Sequence, residues 1–130
     1  MKRLLSVQIA REEDVVVARQ RARQVAEALG FEAQDQTRIA TAVSEIARNA
    51  VRYAGGGQAG FSLDSHKRLL IVTVSDRGAG IPHLQSVMDG NYRSETGMGL
   101  GIAGSRRVMD EFEIHATPRG TTVRMAKRLH

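Results

Sequence analysis

The chain has 130 residues, 42% of them apolar and 25% charged, with a net charge of +5 and no cysteine. That length is one domain, residues 1–130, with enough interior to fold without staples, and the missing thiols exclude disulfides and thiolate metal sites. No apolar run approaches the ~20 residues that cross a bilayer and the start Met1 to Leu5 lacks a signal-peptide core, so a cytoplasmic protein with no membrane partner is expected.

Leu5, Val7 and Ile9 alternate with polar neighbours and predict a half-buried strand. Glu12-Glu13-Asp14 places acids where a helix N-terminus favours them, and Val15, Ala18, Ala22, Val25, Ala26 and Leu29 follow at helical spacing until Gly30. A second helix is predicted from about Gln34 to Tyr53, with an apolar stripe of Ile39, Val43, Ile46, Ala47 and Ala50, stopped by Gly55-Gly56-Gly57. Phe61 and Leu63 belong to a strand, His66-Lys67-Arg68 to a turn, and Leu69 to Val74 to the most strand-like run of the chain, which together predict a hairpin. An irregular stretch from about Ala79 to Thr96, with one helical turn near Leu84 to Met88, has the length of a functional lid. Leu100 to Glu111 then reads as a third helix, Phe112 to Ala116 as a strand, Pro118-Arg119-Gly120 as a turn and Thr121 to Lys127 as the last strand. The predicted fold class is α+β: a two-layer sandwich in which a mostly antiparallel, mixed sheet of about five strands packs one face on three helices and leaves the other wet.

Three stretches carry chemistry. Glu45 and Asn49 stand four apart on one helix face at the core boundary. There a carboxylate can take a proton and an amide oxygen can ligate a hard cation such as Mg²⁺. Asp76 ends the strongest strand, where its carboxylate can accept from an exocyclic amine while Gly78 and Gly80 let a flat base approach the backbone. Gly97, Gly99 and Gly101 alternate at a helix start, whose bare amides suit an anion. Each has a plainer reading alone: a solvated helix face, a turn-forming Asp-x-Gly and a flexible hinge. Gly120-Thr121-Thr122 by itself marks only a turn, although Thr121 could bring a hydroxyl near a base at Asp76. The four histidines show no metal-ligand spacing. The basic residues are scattered, and three Phe and two Tyr offer little to stack on bases, so a polyphosphate ligand or an acidic protein suits the charge better than nucleic acid.

Taken in order, these stretches resemble the GHKL ATPases, which include gyrase, the histidine kinases and the MutL proteins. Glu45 to Ala54 is similar to their N box, Asp76 to Ile81 to the first glycine box, Gly97 to Ile102 to the second, and Arg119 to Val123 to the late Gly-Thr element. The resemblance covers essentially the whole chain and implies the Bergerat ATP-binding fold, with ATP and Mg²⁺ as cofactors. It implies Glu45 as general base, Asn49 as Mg²⁺ ligand, and Asp76 with Thr121 on the adenine amine. Gly78, Gly80 and Ile81 would shape the base pocket; Gly97, Met98, Gly99, Leu100 and Gly101 would wrap the phosphates under a lid of residues 82–96. Histidine kinases generally carry Asn where Glu45 stands, and no histidine here lies on a helix suited to phosphate transfer. No transducer segment of the gyrase kind follows the last strand. The chain therefore resembles the small serine/threonine kinases of bacterial partner switching, first the RsbT type and next the anti-sigma-factor kinases. That resemblance implies a STAS-domain protein as substrate. The alternative it leaves open is an anti-sigma factor or nucleotide-gated switch that holds a sigma factor or activates a phosphatase, with catalysis secondary.

Overall fold

The computed structural model describes residues 1–78 and 98–130, with backbone alone for 98–101. β1 (Lys2–Ile9) leads into α1 (Glu12–Leu29) and α2 (Ala33–Ala54), which are followed by a hairpin of β2 (Gly57–Asp64) and β3 (Leu69–Asp76). α3 (Met98–Val108) precedes a second hairpin, β4 (Glu111–Thr117) and β5 (Gly120–Arg128). The strands lie in the order β1-β2-β3-β5-β4. This is the expected α+β architecture, and the histidine-kinase-like fold, but the sheet is antiparallel at every pairing and not mixed. Two helices, out and back, separate β1 from β2, so the chain re-enters beside β1 in the opposite direction.

Local chemistry sets the helix limits. Asp14 Oδ2 accepts from the N–H groups of Ala10 (2.8 Å) and Arg11 (3.2 Å) at the start of α1. Gly30, at φ 97°, ends it in the left-handed conformation that glycine adopts at least cost. Gly55, at φ 75°, does the same for α2. Gly57, which the sequence placed in the helix stop, opens β2 instead. A Cβ there would lie 2.0 Å from the carbonyl oxygen of Ser75, so only glycine allows this strand to approach β3 so closely. α3 ends three residues earlier than its periodicity suggests. Lys127 Nζ donates to the Val108 carbonyl at 2.8 Å, and the Asp110 N–H donates to Ala126 at 2.9 Å. Glu111 is thereby drawn into β4, where it meets Arg124 Nη1 at 2.8 Å.

One main core lies between the helices and the inner face of the sheet. Val15, Ala18 and Ala22 of α1 and Ile39, Val43 and Ile46 of α2 pack over Phe61, Leu70, Val72, Val74 and Met125. Phe61 is fully buried at the centre of β2. Phe61→Ala is expected to cost about 3–5 kcal/mol, read as a lower urea midpoint with an unchanged slope. The outer face is not wholly wet: Leu69, Ile71 and Ala126 form a second buried cluster there. A run with apolar residues on both faces explains why Leu69 to Val74 lacks alternation.

Candidate active site

Glu45 and Asn49 stand about one turn apart along α2 and so share one face of that helix, while Thr41 and Thr37 continue the every-fourth-residue row toward its start, turned by about 40° at each step. The buried stripe of Ile39, Val43, Ile46 and Ala50 is rotated from it, which leaves Glu45 and Asn49 half-buried. Glu45 Oε1 accepts from Arg48 Nη1 at 3.1 Å, and Arg48 Nε stands 3.7 Å from Glu12 Oε2 at the start of α1. Ion pairs this exposed contribute no more than about 1 kcal/mol, so Arg48 orients Glu45 more than it stabilises the fold. Asn49 is different: its Nδ2 is buried and has no hydrogen-bond partner among the described residues. A native buried amide is rarely left so, and the group fits a ligand. Its nitrogen could donate to a phosphate oxygen and its oxygen could face a hard cation, the donor set Mg²⁺ accepts.

Asp76 follows Leu70, Val72 and Val74 in the alternation of β3, which carries its side chain on the helix-facing side of the sheet. Oδ1 accepts from the N–H of Gly78 at 2.9 Å and from the N–H of Thr121 at 3.1 Å. Among the described residues Oδ2 takes no hydrogen bond. The carboxylate is thus fixed through one oxygen and can accept from an amine with the other. Thr121 is buried beside it. Two close approaches build this cradle. A Cβ on Gly78 would fall 2.6 Å from Ala54 Cβ at the end of α2, and one on Gly120, at φ 155°, would fall 2.2 Å from the Asp76 carbonyl oxygen.

α3 begins at Met98, so Gly99 and Gly101 of the second box lie inside its first turn and not ahead of it. The N–H groups of Met98, Gly99, Leu100 and Gly101 have no acceptor within the helix and can bind an anion. α3 packs on α2, the helix that carries Glu45 and Asn49. Gly80, Ile81, Gly97, the lid and the helical turn near Leu84 to Met88 lie outside the described residues.

The structure therefore unites Asp76, Gly78 and Thr121 by hydrogen bonds and close contact, and sets Glu45 and Asn49 on one face of α2. Sequence reasoning missed Arg48 and Glu12. Arg48 is legible three residues from Glu45, whereas Glu12 reaches it only because α1 packs on α2.

An antiparallel sheet on three helices, a fixed strand-end carboxylate and a free-amide helix start define a nucleotide-binding ATPase domain. Residues 9–127 match the family described as Histidine kinase-like ATPase domain, and the chain belongs to it. It is similar to the serine/threonine-protein kinase RsbT of Bacillus subtilis, 43% identical over 126 residues that cover 95% of each chain. At that identity the chain stands with the serine/threonine protein kinases of the family, which are ATP-dependent enzymes. An anti-sigma F factor of Bacillus licheniformis is 29% identical over 101 residues, 72% of this chain and 69% of the relative. The fold also recurs in the solved SiaB-SiaC complex from Pseudomonas aeruginosa, with a TM-score of 0.69 at 11% identity over 96% of this chain and 91% of that one.

Proposed function

We propose that this chain transfers the γ-phosphoryl group of ATP to a serine or threonine of a STAS-domain protein in a bacterial partner-switching pathway. The observation that carries the proposal is Glu45 on the same helix face as Asn49, whose buried amide nitrogen lacks a partner among the described residues. Asp76 accepts from the adenine amine through Oδ2, with the Thr121 hydroxyl beside it. Gly78, Gly80 and Ile81 line the base pocket, and the stretch from Gly97 to Gly101 takes the phosphates. Asn49 would hold Mg²⁺, which when bound would offset the charge of the phosphates. Glu45 accepts the proton of the acceptor hydroxyl as its oxygen attacks the γ-phosphorus in line. The bond to the β–γ bridging oxygen breaks and ADP leaves.

No helix among the described residues is long and apolar enough to cross a membrane, which suits work in the cytoplasm. A second reading is favoured by the anti-sigma F factor relative: a nucleotide-gated switch that holds a sigma factor or activates a phosphatase, with transfer secondary.

The test is incubation with γ-labelled ATP, Mg²⁺ and the STAS-domain proteins encoded in the same genome. Label is expected on one STAS protein and is expected to vanish on chelation with EDTA. A tight, nucleotide-dependent complex that yields no labelled product would favour the switch.

A further inference from the structure

A groove of about 490 Å³ runs between α2 and α3, and of the described residues assigned to the nucleotide site Glu45 alone lines it. Thr37, Thr41 and Glu45 form its α2 wall, and Gly104, Ser105 and Val108 form its α3 wall. Two features tie it to the reaction. Its α2 wall includes Glu45, so one end of the groove opens on the carboxylate already assigned, one helical turn from Asn49. It also runs from Glu45 toward Thr37, away from Asp76 at the far end of the sheet-bound site.

Much of the lining is methyl and aliphatic surface from Ala42, Val108 and the two threonines, with Arg38 at its outer end. Arg38 Nη1 pairs with Asp35 Oδ1 at 3.2 Å, which leaves other guanidinium N–H groups to offer, and Arg23 of α1 donates to Thr37 Oγ1 at 3.1 Å. From Glu45 to Thr37 the helix rises about 12 Å, which an extended peptide spans in about three or four residues.

We infer that this groove binds the acceptor segment of the protein substrate. The segment lies extended, with its serine or threonine at Glu45, small apolar side chains along the groove and an acidic residue about three or four positions away facing Arg38. The inference rests on the proposed kinase reaction and adds to it where the substrate lies and what sequence it carries. An acidic flank at the arginine end fixes the direction and register of the segment.

Gly104 offers a clean test. A Cβ there meets nothing within 4 Å, and its backbone is ordinary helix, so Gly104→Leu projects into the groove while leucine suits the helix better than glycine. Steady-state transfer to the labelled STAS protein is expected to show a KM at least tenfold higher, with the KM for ATP and the thermal midpoint unchanged. Gly104→Ala, which fills less, should raise the KM less. Arg38→Glu should raise it too, and replacement of the acceptor's acidic flank by lysine should recover part of that loss. An unchanged KM for the STAS protein with Gly104→Leu overturns the inference. So does a parallel loss of ATP affinity, or a change confined to self-association by light scattering, which would make the groove a contact between copies. If the wild-type chain labels no STAS protein, the proposed reaction itself fails; if it labels one and Gly104→Leu does so equally well, only the groove assignment fails.

Discussion

Glu45→Gln is expected to cut phosphoryl transfer about 10²- to 10⁴-fold while leaving ATP affinity within a factor of about two. The size follows from loss of proton acceptance at the attacking hydroxyl, and the amide keeps the shape of the side chain. ATP affinity is spared because the side-chain partner of Glu45 is Arg48, whereas the adenine cradle is built on Asp76, Gly78 and Thr121. The fold is spared as well: Arg48 retains Glu12, and an exposed pair of this kind contributes no more than about 1 kcal/mol. Calorimetric titration with ATP, beside initial rates of label transfer, separates the two effects. Loss of binding in step with loss of rate would make Glu45 a nucleotide ligand and not a base.

Asp76→Asn is expected to reverse that pattern and lower ATP affinity about ten- to a hundredfold, the equivalent of one charge-assisted hydrogen bond of about 1.5–3 kcal/mol. The cause is geometric. The carboxylate accepts on both sides, from Gly78 and Thr121 through Oδ1 and from a ligand amine through Oδ2. An asparagine has one acceptor atom and one donor atom. With its oxygen toward the two backbone N–H groups, its NH₂ confronts the adenine amine; turned over, it strands those N–H groups. Asp76→Ala should do further harm, since it leaves two part-buried donors without an acceptor and lowers stability by about 1–3 kcal/mol. Urea unfolding distinguishes the variants, with Asp76→Asn close to wild type. Unchanged ATP affinity in Asp76→Asn would remove Asp76 from the base pocket.

The candidate site divides by the range of interactions that build it. Glu45 and Asn49 are legible because four-residue spacing fixes a shared helix face whatever surrounds it. Asp76 is legible as the end of an apolar run that meets glycine. Its bond to the Thr121 N–H spans 45 positions of sequence and has no local signature; the sequence suggested a Thr121 hydroxyl near the base at Asp76, not this backbone bond. Gly57 and Gly120 belong to the same class, because what forbids a side chain there is another strand's carbonyl oxygen. The groove beside Gly104 exists only where α3 meets α2.

The fold divides in the same way. Helix stops at Gly30 and Gly55 follow from backbone chemistry and stand where the sequence puts them. The end of α3 does not, because Lys127 and Ala126 of the last strand take up the backbone groups of Val108 and Asp110 before the helical pattern runs out. The buried corner of Leu69, Ile71 and Ala126 likewise depends on a strand pairing more than fifty residues away in the chain. Tertiary contacts decide these places, and local pattern decides the rest.

The most direct test of the proposed reaction is a single-turnover quench with enzyme in excess over γ-labelled ATP, in the presence of Mg²⁺ and the STAS-domain acceptor. An acid-stable phosphoester on one serine or threonine of the acceptor, formed as ADP appears and absent with Glu45→Gln, is the predicted result. Free phosphate with no labelled acceptor, or acid-labile label on a histidine of this chain, would contradict it.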